Sequence, residues 1–151
     1  MPWYPAVTVA AVVRQGEHFL MVEETAAGQR VINQPAGHLE DGENLLEAVV
    51  REVLEETARP FTAESLVGIY QWRLPDRSRT YLRFCFSGTV GEPVAGLALD
   101  PDILATHWMT VAQIRSGGLR VRSPMVLRCI EDALAGRSLP LDCLHELDRA
   151  V

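Results

Sequence analysis

The chain has 151 residues, 48% of them hydrophobic, which suits one globular domain over residues 1–151 with a sizeable core. Its formal net charge of −6 argues against a nucleic-acid polymer as the main partner, because proteins that bind polyanions usually carry a basic face. Cys85, Cys129 and Cys143 form no Cys-x-x-Cys pair, so the sequence predicts three buried reduced thiols rather than a disulfide framework or a zinc site. No signal peptide or membrane span is recognisable, and we expect a cytoplasmic protein without a membrane partner.

The first quarter of the chain predicts paired strands followed by a glycine-bearing loop. Apolar residues dominate positions 6–13 and 18–23, and a polar turn separates the two runs, which is typical of a β-hairpin. Residues 26–30 are expected to form a loop and residues 31–35 a short edge element. The glycine-bearing loop then spans residues 36–42.

A helix is predicted after this loop. Asn44 is a suitable N-cap, and Glu47 at the third helical position would complete a capping box. Pro60 sets the end of the helix. The predicted core-facing stripe consists of Leu46, Val50, Val53 and Leu54.

The second half of the chain predicts three more strands and two helices. The strands are expected at residues 65–72, 79–90 and 103–109, the first two of them joined by a polar turn. A short helix is predicted at residues 111–116, and an amphipathic helix at residues 124–135. This mixed order favours an α/β fold in which helices cover both faces of a sheet.

Three glutamates crowd one face of the first helix. At 100° per residue, Glu52, Glu55 and Glu56 fall within an arc of about 100°. Like charges at this spacing repel one another, so a cation between them is favoured, and oxygen-only ligands indicate Mg²⁺ or Mn²⁺. The alternative is an ordinary solvated helix face. The fixed spacing of these acids from a glycine, a further glutamate and an arginine favours the metal site.

That spacing resembles the Nudix box. It runs Gly37, five residues, Glu43, seven residues, Arg51-Glu52, two residues, Glu55-Glu56. The resemblance implies a Nudix-type α/β/α sandwich with a mixed β-sheet between helices, and hydrolysis of nucleoside diphosphates linked to another group. The family pattern ends with glycine and an aliphatic residue, where this chain has Ala58 and Arg59. A left-handed helix exit at Ala58 would cost about 1 kcal/mol.

The resemblance also implies roles for the box residues. The carbonyl oxygen of Gly37 and the carboxylates of Glu52, Glu55 and Glu56 would hold Mg²⁺, with Mn²⁺ as a possible substitute. Such an ion would neutralise the substrate phosphates and acidify the attacking water. Arg51 would pair with Glu43 across the loop and the helix; the alternative is a pair with Glu47, four residues away on the same helix.

The residue that accepts the proton of the attacking water is left open by the sequence. Glu52 and Glu56 are candidates on the helix. Related Nudix enzymes often carry a further acid shortly before a strand tryptophan, here Trp108, and Asp102 fits that place better than Asp100. The alternative for Asp102 is a turn-forming aspartate beside a proline.

Several short segments spread over residues 22–124 narrow the resemblance to the NudJ-type branch of bacterial Nudix phosphatases. That branch implies a small phosphorylated substrate: nucleoside triphosphates and diphosphates from which phosphate is removed stepwise, and pyrimidine diphosphates of thiamine metabolism. Two alternatives stay open. One is a Nudix hydrolase for dinucleoside polyphosphates or ADP-sugars, and the other is a non-catalytic nucleotide-binding Nudix domain. The oligomeric state, monomer or homodimer, is not predicted. The segments are Val22-Glu23-Glu24-Thr25, Asn33-Gln34-Pro35-Ala36-Gly37-His38-Leu39-Glu40, Gln71-Trp72, Pro75-Asp76, Leu82-Arg83-Phe84 and residues 119–124.

Five residues outside the glutamates are candidates for substrate binding. Arg83 lies among apolar residues, so it either faces a phosphate in the cleft or pairs with an acid. Trp72 could stack on a base or pyrimidine ring or could belong to the core. His38 could contact phosphate or could be structural. Asn33 and Gln34 are candidates for hydrogen bonds to the ligand.

Overall fold

The computed structural model describes residues 1–147, and within that range the chain forms eight strands and three helices. The prediction of one domain over residues 1–151 stays a prediction. The elements are β1 (Ala6–Gln15), β2 (His18–Ala26), β3 (Gln29–Asn33), β4 (Ala36–His38), α1 (Leu45–Thr57), β5 (Phe61–Arg73), β6 (Thr80–Val90), β7 (Ile103–Met109), α2 (Val111–Ser116), β8 (Arg120–Val121) and α3 (Pro124–Leu134), followed by a 3-10 turn at Leu141–Cys143.

The strands form one mixed sheet in the order β5-β6-β1-β2-β3-β8, with β4 paired to β1 and β7 paired to β2. The β1–β6 and β3–β8 pairs are parallel, and the other pairs are antiparallel. The parallel β1–β6 pair joins segments about 75 residues apart in sequence and places Thr8 opposite Arg83. This pair brings an early strand and a late strand to the centre of the molecule.

Both faces of β1 are buried, which explains its continuous apolar sequence. Val9, Ala11 and Val13 pack in the same cluster as residues of α1. Ala10 and Val12 alternate with them and pack with residues of α2 and α3 on the opposite face. The predicted α/β class, with a mixed sheet between helices, is therefore confirmed.

Helix α1 begins and ends as the sequence indicates. The Asn44 side chain accepts a hydrogen bond from the Glu47 N–H (2.8 Å), and the Glu47 carboxylate accepts one from the Asn44 N–H (3.1 Å), so the predicted capping box is confirmed. Ala58 ends the helix in the left-handed region with φ of +59°, and its N–H donates to the Leu54 carbonyl.

The predicted core stripe of α1 is partly wrong. The helix buries Ala48, Val49 and Val53, whereas Val50 is 38% exposed and Leu46 and Leu54 are only partly buried. Helix α1 carries apolar residues on more than one face. The face with Ala48 packs on the sheet, because the small alanine side chain allows a close approach of helix and sheet.

Other differences concern the two short strands β4 and β8, which the sequence did not predict, the ends of other elements and one cysteine. The predicted loop at residues 36–42 begins with β4, because residues 36–38 pair with Thr8, Val9 and Ala10 of β1. The predicted loop at residues 26–30 is mostly strand. Cys85 and Cys129 are buried as predicted, but Cys143 is exposed in the 3-10 turn. None of the helices within residues 1–147 has the length and apolar character needed to cross a bilayer.

Candidate active site

Strand β4 holds the Nudix-box glycine directly against helix α1. A Cβ atom built on Gly37 would overlap the carboxylate of Glu52. Glycine is thus required here by the close approach of a side chain to the backbone rather than by a positive φ. The consequence is that a backbone segment and a carboxylate of α1 share one small space.

Arg51 ties the acidic groups around this space together. Its Nε and Nη2 atoms donate to the two carboxylate oxygens of Glu43 at 3.0 and 2.7 Å, a bidentate pair. Nη2 also donates to the His38 carbonyl (3.0 Å), and Nη1 lies 2.8 Å from Glu52 and 3.3 Å from Glu55. The structure therefore brings together Arg51 and the four other groups that surround it, and fixes the loop after β4 against α1.

The alternative partner of Arg51, Glu47, is engaged in the capping box instead. The hydrogen bonds from Arg51 hold the pKa of Glu43 below its usual range although burial opposes this. The same carboxylates raise the pKa of the Arg51 guanidinium, Glu43 contributing most. Both shifts favour the charged forms of Glu43 and Arg51.

Glu56 lies in an environment that disfavours negative charge. Its side chain is buried and accepts one hydrogen bond from the Ala36 N–H at 2.8 Å. Burial, together with the charges of Glu24, Glu52 and Asp100, raises the pKa of Glu56 to about 9, against the effect of the hydrogen bond. Acids gathered in this way are stabilised by a cation.

Glu52 has a raised pKa for the same main reason. Burial is the largest cause, and the charges of Glu55 and Glu40 add to it, while the hydrogen bond from Arg51 opposes the shift. Glu52 and Glu43 show how position decides the result: Arg51 dominates at Glu43, and burial dominates at Glu52.

The carboxylate oxygens at this place fit a hard divalent cation. In the described part of the chain, however, no three acidic, histidine or cysteine side chains already converge at metal-binding distance. Arg51 lies between Glu52 and Glu55, and the Glu56 carboxylate is turned towards Ala36. Metal binding at these glutamates would require their side chains to exchange these partners.

A cavity of about 310 Å³ opens on the other side of β4, over the face of the sheet that α3 covers. Four of the five predicted substrate-binding residues line it. Gln34 lies beneath the cavity, where it accepts a hydrogen bond from Arg83 Nη1 (3.3 Å) and donates to the Ala11 carbonyl (3.2 Å). The four lining residues are Asn33, His38, Trp72 and Arg83.

Arg83 is 5% exposed, and no carboxylate within the described residues forms an ion pair with it. Its single hydrogen bond goes to Gln34, and its Nε atom has no partner in the same part of the chain. Of the two possibilities for this residue, the structure favours the cleft over an internal acid pair. A buried guanidinium in this state is costly unless a ligand supplies negative charge.

The other lining residues have partners of their own. Trp72 is half-buried and stacks on Tyr81, with ring centroids 5.8 Å apart, so one ring contributes both to the packing and to the cavity wall. His38 Nε2 lies 3.4 Å from Arg79. Burial lowers the pKa of His38, and the charges of Arg79 and Arg122 lower it further.

The structure adds cavity residues that the sequence did not single out. Glu24 is buried and bridges two of the lining residues, accepting from Asn33 Nδ2 (3.1 Å) and from Arg122 Nη1 (2.7 Å). Thr8 and Ser123 line the cavity with buried hydroxyl groups. The one sequence signal that could have found Ser123 is its position before Pro124, which is typical of a helix start.

Asp102, the predicted additional acid, lies in an exposed turn and its N–H donates to the Asp100 carboxylate at 2.9 Å. Asp100 lies nearer the glutamates: its N–H donates to the Glu55 carbonyl (2.8 Å), and its charge acts on Glu56. The described geometry therefore brings Asp100, rather than Asp102, towards the carboxylate face of α1.

The structure combines a mixed sheet between helices, a glycine-bearing strand packed on an acidic helix, and a cavity that arginines line. This arrangement belongs to the α/β class and is chemically suited to a phosphorylated compound. The NUDIX domain family model matches residues 4–128, and the chain belongs to this family. The resemblance drawn from the Nudix box is thus confirmed.

Relatives place the chain more narrowly within the family. It is 36% identical over 144 residues to phosphatase NudJ of Escherichia coli K12, which covers 95% of this chain and 93% of that protein. A NUDIX hydrolase from Nitrosomonas europaea is 45% identical, with a TM-score of 0.92 over 97% of this chain and 100% of the other. The NUDIX domain of Shewanella oneidensis NrtR, solved with ADP ribose, shares the fold at 17% identity, with a TM-score of 0.70 and 89% of each chain covered. The chain is therefore a Nudix hydrolase similar to the NudJ phosphatases.

Proposed function

We propose that this chain is a Mg²⁺-dependent phosphatase that removes phosphate stepwise from nucleoside triphosphates and diphosphates. The observation that carries the proposal is the position of the cavity. Its edge is formed by Gly37 and His38, the same strand that packs on the carboxylate face of α1. A phosphate chain at that strand would meet the carboxylate oxygens of α1, and the rest of the substrate would extend over the cavity towards Arg83. Similarity to E. coli NudJ over most of the chain supports the phosphatase activity.

The metal would be held by the Gly37 carbonyl and by Glu52, Glu55 and Glu56, with Mn²⁺ as a possible substitute. When bound, it would supply charge neutralisation on the substrate phosphates and a lowered pKa for the attacking water. Arg51 acts as a positioning residue, since it holds the loop of Glu43 against α1 through a bidentate pair. Glu52 and Glu56 are the candidates for accepting a proton, and Asp102 stays a weaker one because its turn is exposed.

The cavity residues would bind the rest of the substrate. Arg83 would contribute countercharge, and Trp72 would offer an aromatic face to a base or a pyrimidine ring. Asn33 and His38 would add hydrogen bonds. A volume of about 310 Å³ is at the small end for ligand pockets, which favours a single nucleoside or a smaller heterocycle over the two nucleosides of a dinucleoside polyphosphate. Pyrimidine diphosphates of thiamine metabolism are therefore a second candidate substrate.

A panel of nucleoside triphosphates, nucleoside diphosphates and thiamine-type pyrimidine diphosphates tests the proposal. Each compound is incubated with Mg²⁺ or with Mn²⁺, and orthophosphate and pyrophosphate are measured separately. Stepwise orthophosphate without pyrophosphate is the expected result, and the rates rank the substrates. Pyrophosphate as the main product contradicts the stepwise reaction.

The same panel, extended to ADP-sugars and dinucleoside polyphosphates, tests the alternatives. If the products are two nucleotides or a sugar phosphate, the chain is a hydrolase of dinucleoside polyphosphates or ADP-sugars and not a phosphatase. The NrtR domain solved with ADP ribose gives that ligand a place in the test. Binding of ADP ribose without turnover of any compound would indicate a nucleotide-binding domain instead. A cytoplasmic location and a monomer or homodimer stay predictions.

A further inference from the structure

Four buried polar side-chain atoms have no hydrogen-bond partner within the described residues, and all four belong to residues that line the same cavity. They are Thr8 Oγ1, Asn33 Oδ1, Arg83 Nε and Ser123 Oγ. Buried polar groups in proteins are nearly always paired, so a cluster of exceptions in one cavity indicates a ligand. Each atom is a hydrogen-bond donor, an acceptor or a hydroxyl, and therefore indicates the type of ligand group that would bind beside it.

One of these atoms, Ser123 Oγ, lies at the start of α3. Ser123 has the extended backbone of an N-cap residue, but its side chain makes no capping hydrogen bond, and the residue is 6% exposed. An N-cap serine normally accepts from a backbone N–H of the first turn, so this hydroxyl is free for another partner. The first turn of a helix also carries unpaired N–H groups and partial positive charge.

Arg83 approaches α3 from the sheet and lines the same cavity as Ser123. It lies on β6 opposite Thr8, and its guanidinium lies beside Cys129, in the middle of α3. Arg83 is 5% exposed, and its Nε has no partner within the described residues. Arg122 also lines the cavity, but it pairs with Glu24 at 2.7 Å. Arg83 is therefore a buried guanidinium at the cavity for which the described part of the chain supplies no carboxylate.

We propose that the start of α3 is a second anion subsite, which binds a phosphate or carboxylate at the end of the substrate opposite the cleaved diphosphate. Ser123 Oγ, Arg83 Nε and the backbone N–H of Met125 would bind the anion, since Pro124 has no N–H and the Val126 N–H donates to the Ser123 carbonyl. Asn33 Oδ1 needs a donor, because Glu24 fixes the amide by accepting from its NH₂ group; a hydroxyl or amine of the substrate supplies it. The inference rests on the proposed function of the same cavity.

The subsite is distinct from the diphosphate position at β4. Thr8 of β1 lies between His38 of β4 and Arg83 of β6, so two strand spacings, about 9–10 Å, separate the two outer backbones. The substrate class is therefore a diphosphate ester whose other end carries a second anion, such as a 3′-phosphorylated nucleoside 5′-diphosphate or a phosphorylated sugar diphosphate. Free inorganic phosphate is the second source of the same chemistry.

Equilibrium binding without metal tests the subsite independently of turnover. The first probe is inorganic phosphate, titrated by calorimetry against the wild type, Ser123→Ala and Arg83→Met, with Arg115→Gln as a control that removes an exposed arginine. Loss of one charge-assisted hydrogen bond weakens binding about 10-fold or more, so both cavity variants should bind phosphate at least about 10-fold more weakly while the control is unchanged. Equal affinity in all four proteins overturns the subsite.

The second probe distinguishes the two sources. Adenosine 5′-diphosphate and adenosine 3′-phosphate 5′-diphosphate differ only in the second anion. We expect the doubly phosphorylated compound to bind about 10-fold tighter to the wild type, and this advantage to fall to about 3-fold or less in Ser123→Ala. Equal binding of the pair, with phosphate binding still sensitive to Ser123, would assign free phosphate and overturn the substrate-end assignment. If the panel of the preceding section shows no turnover but these affinities hold, the proposed function fails and the subsite stands.

Discussion

The two faces of the sheet differ in how a partly or fully buried arginine is paired. On the α1 face, Arg51 is surrounded by carboxylates and each of its donors has an acceptor. On the α3 face, Arg83 is more deeply buried, donates to Gln34 and has no carboxylate partner within the described residues. The first arginine has all its partners in the protein, and we propose that a ligand supplies the missing partner of the second.

The contrast follows from what each face must do. The carboxylates of α1 have to be held close together in the free protein, and a cation from the chain itself reduces their repulsion. A ligand-binding cavity has to keep hydrogen-bonding groups available for its ligand. Protein groups that paired with these atoms would occupy the space of the ligand. The two arginines should therefore respond differently to substitution: loss of Arg51 should destabilise the fold, and loss of Arg83 should lower activity with little change in stability.

The largest effect is expected for Glu55→Gln, which removes a carboxylate from the proposed metal site. Loss of a residue that hydrogen-bonds to a metal ligand already costs about 10- to 100-fold in metal affinity or activity, so loss of a ligand itself should lower kcat/KM by more than about 100-fold. The fold should be retained, because Glu55 is half exposed and makes only a 3.3 Å contact with Arg51. The measurements are steady-state rates with Mg²⁺ and thermal melting.

Glu64→Gln is the matched control, since Glu64 is an exposed glutamate on β5, away from the box. It should leave both the rate and the melting temperature unchanged. If Glu55→Gln hydrolyses substrate at the wild-type rate, Glu55 is not a metal ligand.

Arg51→Met comes next, because it removes the charge that the acids of α1 share. Glu43 and Glu52, whose side chains are 14% and 12% exposed, would lose their countercharge. We expect a loss of about 2 kcal/mol in the free energy of unfolding, allowing for the partial exposure of Arg51. This corresponds to a melting temperature roughly 4–8 °C lower. Millimolar Mg²⁺ should recover part of this loss if the glutamates hold the metal.

Arg115→Met provides the comparison for a surface arginine. Its partner Glu131 is 47% exposed, and such pairs contribute less than about 1 kcal/mol. Equal stability losses in the two variants would mean that Arg51 is only one more surface ion pair.

Arg83→Met tests the other face and should behave differently. Replacing a buried, uncompensated guanidinium by an apolar side chain of similar length is often neutral or stabilising, so the free energy of unfolding should stay within about 1 kcal/mol of the wild type. Activity, in contrast, should fall about 10-fold in kcat/KM, which is the effect of one lost hydrogen bond to a charged group. Denaturant unfolding and steady-state kinetics on one preparation give both numbers.

A large loss of stability in Arg83→Met would contradict the proposed difference between the faces, because it would show that the arginine has a structural role.

Arg83→Lys tests whether the geometry of the guanidinium matters in addition to its charge. It keeps the charge but loses the planar fork, so an effect on kcat/KM as large as that of methionine would indicate bidentate rather than purely electrostatic recognition.

The sequence predicted the α1 face better than the α3 face for a physical reason. The capping box, the acidic helix face and the glycine loop all lie within residues 37–58, where spacing along the chain determines position in space. The cavity combines Thr8, Asn33, Arg83 and Ser123, which come from four separate segments. Long-range strand pairing brings them together, namely β1 with β6 for Thr8 and Arg83, β2 with β3 for Asn33, and β3 with β8 for Ser123, and no local pattern encodes it.

The error at Val50 has the opposite origin. The helix carries enough apolar residues for two different stripes, and periodicity alone cannot choose between them. The sheet makes the choice, since Val49 and Val53 meet the β1 side chains while Val50 stays 38% exposed. Gln34 is another residue whose position the sequence did not predict. It accepts a hydrogen bond from Arg83 beneath the cavity instead of lining the cavity.

The smallest effect concerns the end of α1, where the chain has alanine in place of the family's glycine. Ala58 has a φ of +59°, and a left-handed alanine costs about 1 kcal/mol relative to glycine. Glycine also loses more backbone entropy on folding, which offsets part of the gain. Ala58→Gly should therefore raise the stability by about 0.5 kcal/mol, or the melting temperature by roughly 1–2 °C.

Ala135→Gly is the control with the opposite sign. Ala135 also ends a helix, α3, but with a right-handed φ of −74°, so glycine relieves no strain there and only the entropy loss remains. Differential scanning calorimetry on the two variants should show a small rise for Ala58→Gly and a small fall for Ala135→Gly. A fall in both would mean that the packing of the Ala58 methyl group, which is 6% exposed, outweighs its backbone strain. Since the Ala58 carbonyl also accepts from Val94, the substitution in addition tests how firmly the β6–β7 connection is held beside the carboxylate face.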